Sequence, residues 1–353
     1  MSGRSVAGGE GLTVAHFQRC PTPRYFSLER VFEDIRAGLP EDVVVAKLEC
    51  PWPSIGLRPR LRNVLWARRN AAPINHITGD VHYVALGLPK DRTILTIHDC
   101  VSLVRSSGAR RWLLKLLWYD LPVKRAAVVT VISEFTKREL LALTSCDPDR
   151  IRVVHDPVSP VFQPKPKAFN PTKPNLLLVG TAWNKNLERI VEALETIPCS
   201  VTIVGELSES QHGVLLRSRV SFEQHDSLTE RELVRLYEQC DLLIFASLYE
   251  GFGLPIVEAQ AVGRPVVTSD RCSMPEVAGD AACLVDPENV QSIRMGVRKV
   301  MEDPGYREEL VQRGLENVKR FHPARLAAQY AEIYRQVSPR WALVPGEPHE
   351  HIA

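Results

Sequence analysis

The sequence predicts an α/β protein built from two doubly wound, parallel-sheet domains. Three observations point there. The chain has 353 residues, about twice the usual length of a single domain. Short β-branched runs alternate along it with longer amphipathic stretches, as in strand–helix–strand units wound around a parallel sheet. A proline-rich segment, PKPKAFNPTKP at 164–174, separates two halves that each show this alternation and reads as a semi-rigid linker. With 44% hydrophobic and 24% charged residues, the chain has apolar mass for two cores and is not disordered at large.

In the first half, strands are expected at 12–17, 43–48, 75–78, 93–98 and 128–132. Helices are expected at 28–39, 60–71, 110–120 and 135–143, with Ser27 and Ser133 where N-caps belong. In the second half the strands fall at 175–179, 201–204, 241–246, 265–268 and 282–285, and the helices at 187–196, 230–239, 255–262 and 290–302. Two further helices, 306–321 and 325–337, precede a proline-containing tail. The expected division is a first domain 1–163, the linker 164–174, a second domain 175–320, a helix 321–337 able to pack back on the first domain, and a tail 338–353. Open sheets of this kind place their functional loops at the carboxyl ends of the strands, so a ligand held in a cleft between two such domains is the fold-level expectation.

The net charge of +2 conceals two unlike halves. Residues 1–165 hold 24 Lys+Arg against 16 Asp+Glu, net +8, and residues 166–353 hold 20 against 26, net −6. The eight cysteines are scattered with no CxxC pair, which fits neither a zinc ligand set nor a disulfide scaffold and suits reduced thiols. The opening residues, MSGRSVAGGEGL, contain no apolar core of a leader. The longest apolar runs, such as DLLIFASL and AAVVTVIS, fall far short of the ~18–20 residues that span a bilayer. A cytoplasmic protein is therefore expected, with peripheral attachment at the inner membrane face left open.

The most informative stretch is 241–286. A buried strand is followed by Glu250-Gly251-Phe252-Gly253-Leu254, a tight turn, and Pro255 takes the first turn of the next helix. The N–H groups of such a helix start favour phosphate or sugar hydroxyls. Glu250 before the turn and Glu258 within the helix are two carboxylates able to accept hydrogen bonds from a nucleotide sugar. The plainer reading is that Glu250 caps the helix and Glu258 is solvated.

This stretch resembles the Glu-x7-Glu signature of the family 4 glycosyltransferases (glycosyltransferases group 1), which are retaining enzymes of the GT-B architecture. The resemblance continues through AVGRPVVTSD, PEVAGDAA and LVDP, and upstream through LLLVGTAWNKN, ELVRLYEQCD, TIHD and VISEFTKREL. It covers most of 75–337. It implies GT-B, two Rossmann-like domains facing a central cleft, with a nucleoside diphosphate sugar as co-substrate and no cofactor or metal. Glu258 would hold the ribose, Glu250 would contact hydroxyls of the donor sugar, and the backbone of Gly251, Phe252, Gly253 and Leu254 would meet the diphosphate and sugar. Lys185 matches the lysine that neutralises the departing diphosphate, and Gly180 fits a close backbone approach. The plainer reading of Lys185 is an exposed lysine followed by Asn186 as an N-cap.

His98 ends an apolar strand and is followed by Asp99. The matching histidine of the family lies beside the donor sugar, which gives His98 a positioning role in catalysis; the plainer reading is a strand-end histidine satisfied by Asp99. Asp80, Asp99 and Ser133 are assigned to the acceptor side, Ser133 also being an ordinary N-cap. His76, Asp80 and His82 resemble metal ligands in type, but Gly79-Asp80 reads better as a strand end and helix cap. Three departures stand out: HFQRCPTP replaces the glycine-rich loop after the first strand, Asn184 stands before Lys185 where an arginine is usual, and HDPVSP replaces a Pro-Asn-Gly turn at 155–160. Arg217, Arg219 and Arg271 are the candidates for the missing cation.

Between Cys50 and Gly79 lie Arg58, Arg60, Arg62, Arg68 and Arg69 with no acidic residue, and Arg105, Arg110, Arg111 and Lys115 adjoin Trp112, Trp118 and Tyr119. Such a surface suits an anionic lipid leaflet or a polyprenyl-diphosphate-linked acceptor, or is simply a solvated basic face. A nucleic-acid partner is not expected. The sequence thus points to a retaining transfer of a sugar from a nucleoside diphosphate to a hydroxyl of a glycan or lipid-linked glycan in cell-surface polysaccharide assembly. The alternatives are a non-catalytic glycan-binding scaffold and a nucleotide-sugar epimerase of the same architecture.

Overall fold

The computed structural model describes residues 11–21 and 27–338, in two compact units. The first ten residues, part of the HFQRCPTP segment, the Ser27 side chain and the tail after Ser338 lie outside the described residues. One unit takes the described part of Met1–Ile132, Thr136–Val154 and the chain from Ala324, and the other takes Ser133–Phe135 and His155–Pro323.

The first unit is a parallel sheet of β1 (Leu12–Gln18), β2 (Val43–Glu49), β3 (Ile74–Ile77), β4 (Thr93–Ile97), β5 (Val128–Val131) and β6 (Ile151–Val153), in the order β2-β1-β3-β4-β5-β6. Alternation along the strands divides their side chains between two faces. Phe17, Ile77, Leu95, Ile97, Val129 and Val131 pack with Ala67, Val84, Tyr119, Val123 and Leu140 in one core. His16 and His76, paired in register, lie on the other face with Thr96. The last helix, Pro323–Val337, covers that face: Tyr330 meets Phe32 and His76, and the Tyr334 hydroxyl lies 2.8 Å from His16 Nε2 and 2.9 Å from His76 Nδ1. The bonds run on from His76 Nε2 to Thr96 Oγ1 and Thr130 Oγ1, so one polar chain crosses four strands.

The second unit is a parallel sheet of β7 (Asn175–Val179), β8 (Ser200–Val204), β9 (Ser221–His225), β10 (Leu242–Phe245), β11 (Val266–Ser269) and β12 (Cys283–Val285), in the order β12-β11-β10-β7-β8-β9. Its core joins Leu176, Leu178, Val201, Ile203, Leu242 and Ile244 to Ile190, Leu194, Ile293 and Val297. Fold class and alternation are as the sequence predicts.

Several boundaries differ, each for a physical reason. Residues 155–163 and the proline-rich segment belong to the second unit and do not bridge freely. Val158 N–H donates to the Phe321 carbonyl, the Phe162 ring meets Tyr237 edge-on, Lys167 bonds the Asp241 carboxylate, and the Arg264 guanidinium binds the Lys165 carbonyl. Proline content marks a stiff segment without saying what it packs on. β6 and β9 escape the periodicity because β6 has three residues and β9, SFEQH, is a largely exposed edge strand. The helix Glu209–Arg217, with its Ser208/Gln211 capping box, is amphipathic only weakly. The helix expected at 110–120 is Gly108–Leu114 followed by a wider π-type turn, Lys115–Asp120, and then Leu121–Arg125.

Candidate functional site

In the second unit the strand order turns at neighbouring β7 and β10, a switch point where the loops leaving the carboxyl ends diverge and leave room for a ligand. Those two loops carry Lys185 and Glu250. Lys185 Nζ donates to Glu250 Oε1 at 2.7 Å, and the Asn184 side-chain amide donates to the same oxygen at 3.0 Å and to the Tyr249 carbonyl at 2.8 Å. The Lys185 ammonium also lies 4.4 Å from the centroid of the Phe245 ring. Gly180 makes this possible: its φ is +91°, and a Cβ there would stand 2.7 Å from Lys185 Cε. The loops are further stitched by Leu248 N–H on the Asn184 carbonyl and by Asn186 Nδ2 on the Ala246 and Pro287 carbonyls. Glu250 therefore does not cap the helix. Lys185 is mostly enclosed, its side chain 19% exposed, and Asn186, with φ of 61°, makes no side-chain cap.

The turn after Glu250 is held from behind. Ser273 Oγ, fully buried, donates to the carbonyls of Glu250 and Phe252, and Ser133 Oγ donates to the Gly251 carbonyl at 2.7 Å. In a trans peptide the N–H opposes the C=O, so the N–H groups of Gly251, Phe252 and Gly253 turn away from these serines. Gly253, at φ +114°, starts the helix Leu254–Val262. The Phe252 ring packs on Phe321 and His155, which leaves its backbone as the part able to meet a ligand. Glu258 is buried, 3% exposed, and accepts the Tyr237 hydroxyl at 2.7 Å, so the solvated reading fails. Glu276 receives Glu134 N–H, Phe135 N–H and His155 Nε2; these bonds hold its carboxyl below the usual range against the opposing effect of burial.

The cations proposed to accompany Lys185 divide. Arg271 is committed to Asp286 and Glu288, while Arg217 and Arg219 are exposed. Arg189, which the sequence reading passes over, donates to Asn186 Oδ1 at 3.0 Å and so adjoins the Lys185 loop.

In the first unit, His98 follows β4 and donates from Nε2 to the Thr78 carbonyl at 3.1 Å. A carbonyl only accepts, so Nε2 carries the hydrogen and Nδ1 presents a lone pair, and that buried Nδ1 has no hydrogen-bond partner among the described residues. Burial pushes the His98 pKa down to about 4, which keeps the ring neutral near pH 7. Asp99 does not satisfy His98: its carboxylate accepts Val101 N–H at the start of the next short helix. Asp80 is exposed and accepts Trp118 Nε1 at 3.0 Å, and the short helix His82–Gly87 takes no side-chain cap, so the capping reading of Asp80 fails too. His76 is spent on Tyr334 and Thr96, and His82 Nδ1 lies on the Trp118 carbonyl. Among the described residues no three metal-ligating side chains gather.

Two family models match adjoining stretches of the chain: Glycosyltransferase Family 4 over residues 19–162 and Glycosyl transferases group 1 over residues 162–317. The chain belongs to the family 4 glycosyltransferases. This family member is 28% identical over 233 residues to O-antigen chain mannosyltransferase B of Escherichia coli, covering 60% of this chain and 61% of that one. It is 27% identical over 320 residues to the MMP alpha-(1->4)-mannosyltransferase of Mycolicibacterium hassiacum, covering 80% and 75%. It spans 35% of the serotype-specific mannosyltransferase WbdA of Escherichia coli. The fold is that of Anabaena HepE, solved in complex with UDP and glucose, at a TM-score of 0.74 and 15% identity, covering 91% of this chain and 99% of that one. WaaG, a glycosyltransferase involved in lipopolysaccharide biosynthesis, matches at a TM-score of 0.68 and 15% identity, over 91% and 99%. The fold class is GT-B, two Rossmann-like units.

Within this family frame the sequence reading missed the residues that hold others: Ser273 and Tyr237 behind the two glutamates, Thr78 behind His98, and Trp118 on Asp80. An isolated serine or threonine leaves no periodic signal. Asn184 did leave one, as the departure beside Lys185.

Proposed function

We propose that this family 4 chain transfers a glycosyl group from a nucleoside diphosphate sugar to a hydroxyl of a glycan or lipid-linked glycan in cell-surface polysaccharide assembly, with retention at the anomeric carbon. The observation that carries the reading is the union of Lys185, Glu250 and the serine-held turn at the ends of β7 and β10. As the bond from the anomeric carbon to the diphosphate breaks, charge grows on the leaving oxygen. The Lys185 ammonium and the N-terminal turn of the helix Leu254–Val262 supply fixed positive potential there. The acceptor oxygen bonds to the anomeric carbon on the same face, and the departing diphosphate takes the acceptor's proton. Glu250 accepts a hydroxyl of the donor sugar and Glu258 a hydroxyl of the ribose. Neutral His98 accepts a sugar hydroxyl at Nδ1, acting as a positioning group. No carboxylate is given the part of a covalent nucleophile.

Incubation with UDP-, GDP-, ADP- and dTDP-sugars, mannosyl donors included because several relatives are named mannosyltransferases, tests this. Nucleoside diphosphate released only with a glycan acceptor, and a product whose anomeric coupling matches the donor's, is the expected result. Inverted product overturns retention, sugar interconversion makes the protein an epimerase, and binding without turnover makes it a scaffold.

A further inference from the structure

We propose that the chain docks on an anionic lipid bilayer through the outward face of the helix Leu57–Arg69, with the helix Gly108–Leu114 beside it. A surface helix ordinarily turns its leucines inward. This one does the reverse: Leu57, Leu61 and Leu65, one per turn, are 67%, 53% and 54% exposed, while its buried side chains are Asn63 and Ala67. At about 100° per residue these leucines share one continuous arc of about 140° with the exposed Arg58, Arg62, Arg68 and Arg69. Ile55, 79% exposed, prolongs the arc toward the preceding loop.

The second segment shows the same chemistry. Trp112 and Leu113 are 65% and 50% exposed next to the exposed Arg110 and Arg111, and the Arg60 guanidinium, 4.6 Å from the Trp118 ring centroid, ties the first helix to the turn that follows the second. Among the described residues, six of the thirteen exposed large hydrophobic side chains fall in these two helices and the loop that leads into the first. Residues 51–78 contain no acidic residue.

Charge and shape select the occupant. A second copy would bring the same cations against themselves, since a two-fold contact pairs a patch with its own image. A polynucleotide would use the arginines and leave the leucines in water. An anionic leaflet takes both, with leucines at the acyl boundary and guanidinium groups among the phosphates. No helix among the described residues is long and apolar enough to cross a membrane, so the contact lies in the surface plane. The proposal stands apart from the donor site, since binding is read without turnover.

The full chain is sedimented with vesicles of phosphatidylcholine alone or mixed with phosphatidylglycerol. Binding is expected to the mixed vesicles only, weakening as salt is raised. Leu57→Ser/Leu61→Ser/Leu65→Ser should lower the partition coefficient roughly a hundredfold. Arg58→Gln/Arg62→Gln/Arg69→Gln should lower it at least about tenfold and flatten the salt dependence. Both keep the wild-type circular dichroism, because all six side chains are exposed. Three results overturn the proposal: equal binding to neutral and anionic vesicles or to neither, a leucine variant that binds like wild type, or a lipid-free dimer that the leucine variant dissolves. If the leucine variant fails to fold, the arginine variant and the salt titration decide, and binding indifferent to both refutes it.

Discussion

Lys185 and Glu250 are bonded to each other, Nζ to Oε1 at 2.7 Å, at the neighbouring ends of β7 and β10. With side chains 19% and 14% exposed, the pair keeps two opposite charges mostly out of water and satisfied. In the proposed function a diphosphate would compete for the lysine, and a sugar hydroxyl for the carboxylate. Under the proposed function the pair is therefore a preset arrangement that a donor rearranges.

Lys185→Ala and Glu250→Ala should each lower kcat/KM about a hundred- to thousandfold, the usual cost of removing a group that stabilises developing charge. The double variant should cost less than the product of the two, because each single variant also strands the other's charge. Steady-state kinetics with the donor found by the sugar panel measures this. Full activity in both single variants would rule out the site.

Asn184 steers Glu250, not the phosphate. Its amide spans Glu250 Oε1 and the Tyr249 carbonyl, so it fixes the carboxylate even when the lysine is drawn away. In Asn184→Ala the affinity for the bare nucleoside diphosphate should stay within about twofold, while KM for the sugar donor rises about tenfold, the worth of one hydrogen bond to a charged group. Equal weakening of both ligands would contradict a sugar-side role.

Gly180→Ala should behave like a lysine variant without touching the lysine. At φ +91° an alanine is strained, and its Cβ would displace the Lys185 stem from 2.7 Å. Stability should fall by about 1 kcal/mol or more, and activity should approach that of Lys185→Ala. Gly305→Ala is the control: its Cβ would meet only Asp303 Oδ1, at 3.5 Å, and its φ is unremarkable. Unchanged activity in Gly180→Ala would mean that the stem path is not required.

What the sequence disclosed follows the range of the interactions. Strand and helix alternation is local, and β7, the helix Glu230–Gln239 and the helix Val290–Glu302 were legible to the residue. Lys185 and Glu250 were legible as two loop residues, but their bond joins positions 65 apart, and periodicity holds no trace of it. The same distance hides the Ser273 hydroxyl behind the turn and the Tyr334 hydroxyl between two histidines. The proline-rich segment was legible as stiff, whereas its anchoring by Asp241 and Arg264 depends on side chains from two other loops.

Opposed titrations should appear in the two units. In the first, burial lowers the pKa of His16 to about 3 and that of His98 to about 4, below the 6.5 of an exposed ring. The unfolded chain takes up those protons first, so this unit loses stability as pH falls from 6.5 toward 4. In the second, burial raises Asp156 to about 7 from 3.8. The native state keeps a proton that the unfolded chain releases, so this contribution is present at low pH and is lost as pH rises from about 4 to 7. Asp156→Asn, which cannot ionise, should therefore match the wild type near pH 4 and exceed it at pH 8 by roughly 3–4 kcal/mol. Urea unfolding at pH 4, 6 and 8, followed by tryptophan fluorescence and circular dichroism, measures the difference. A stability gap that does not widen with pH would show that the carboxyl is ionised and solvated in the folded protein.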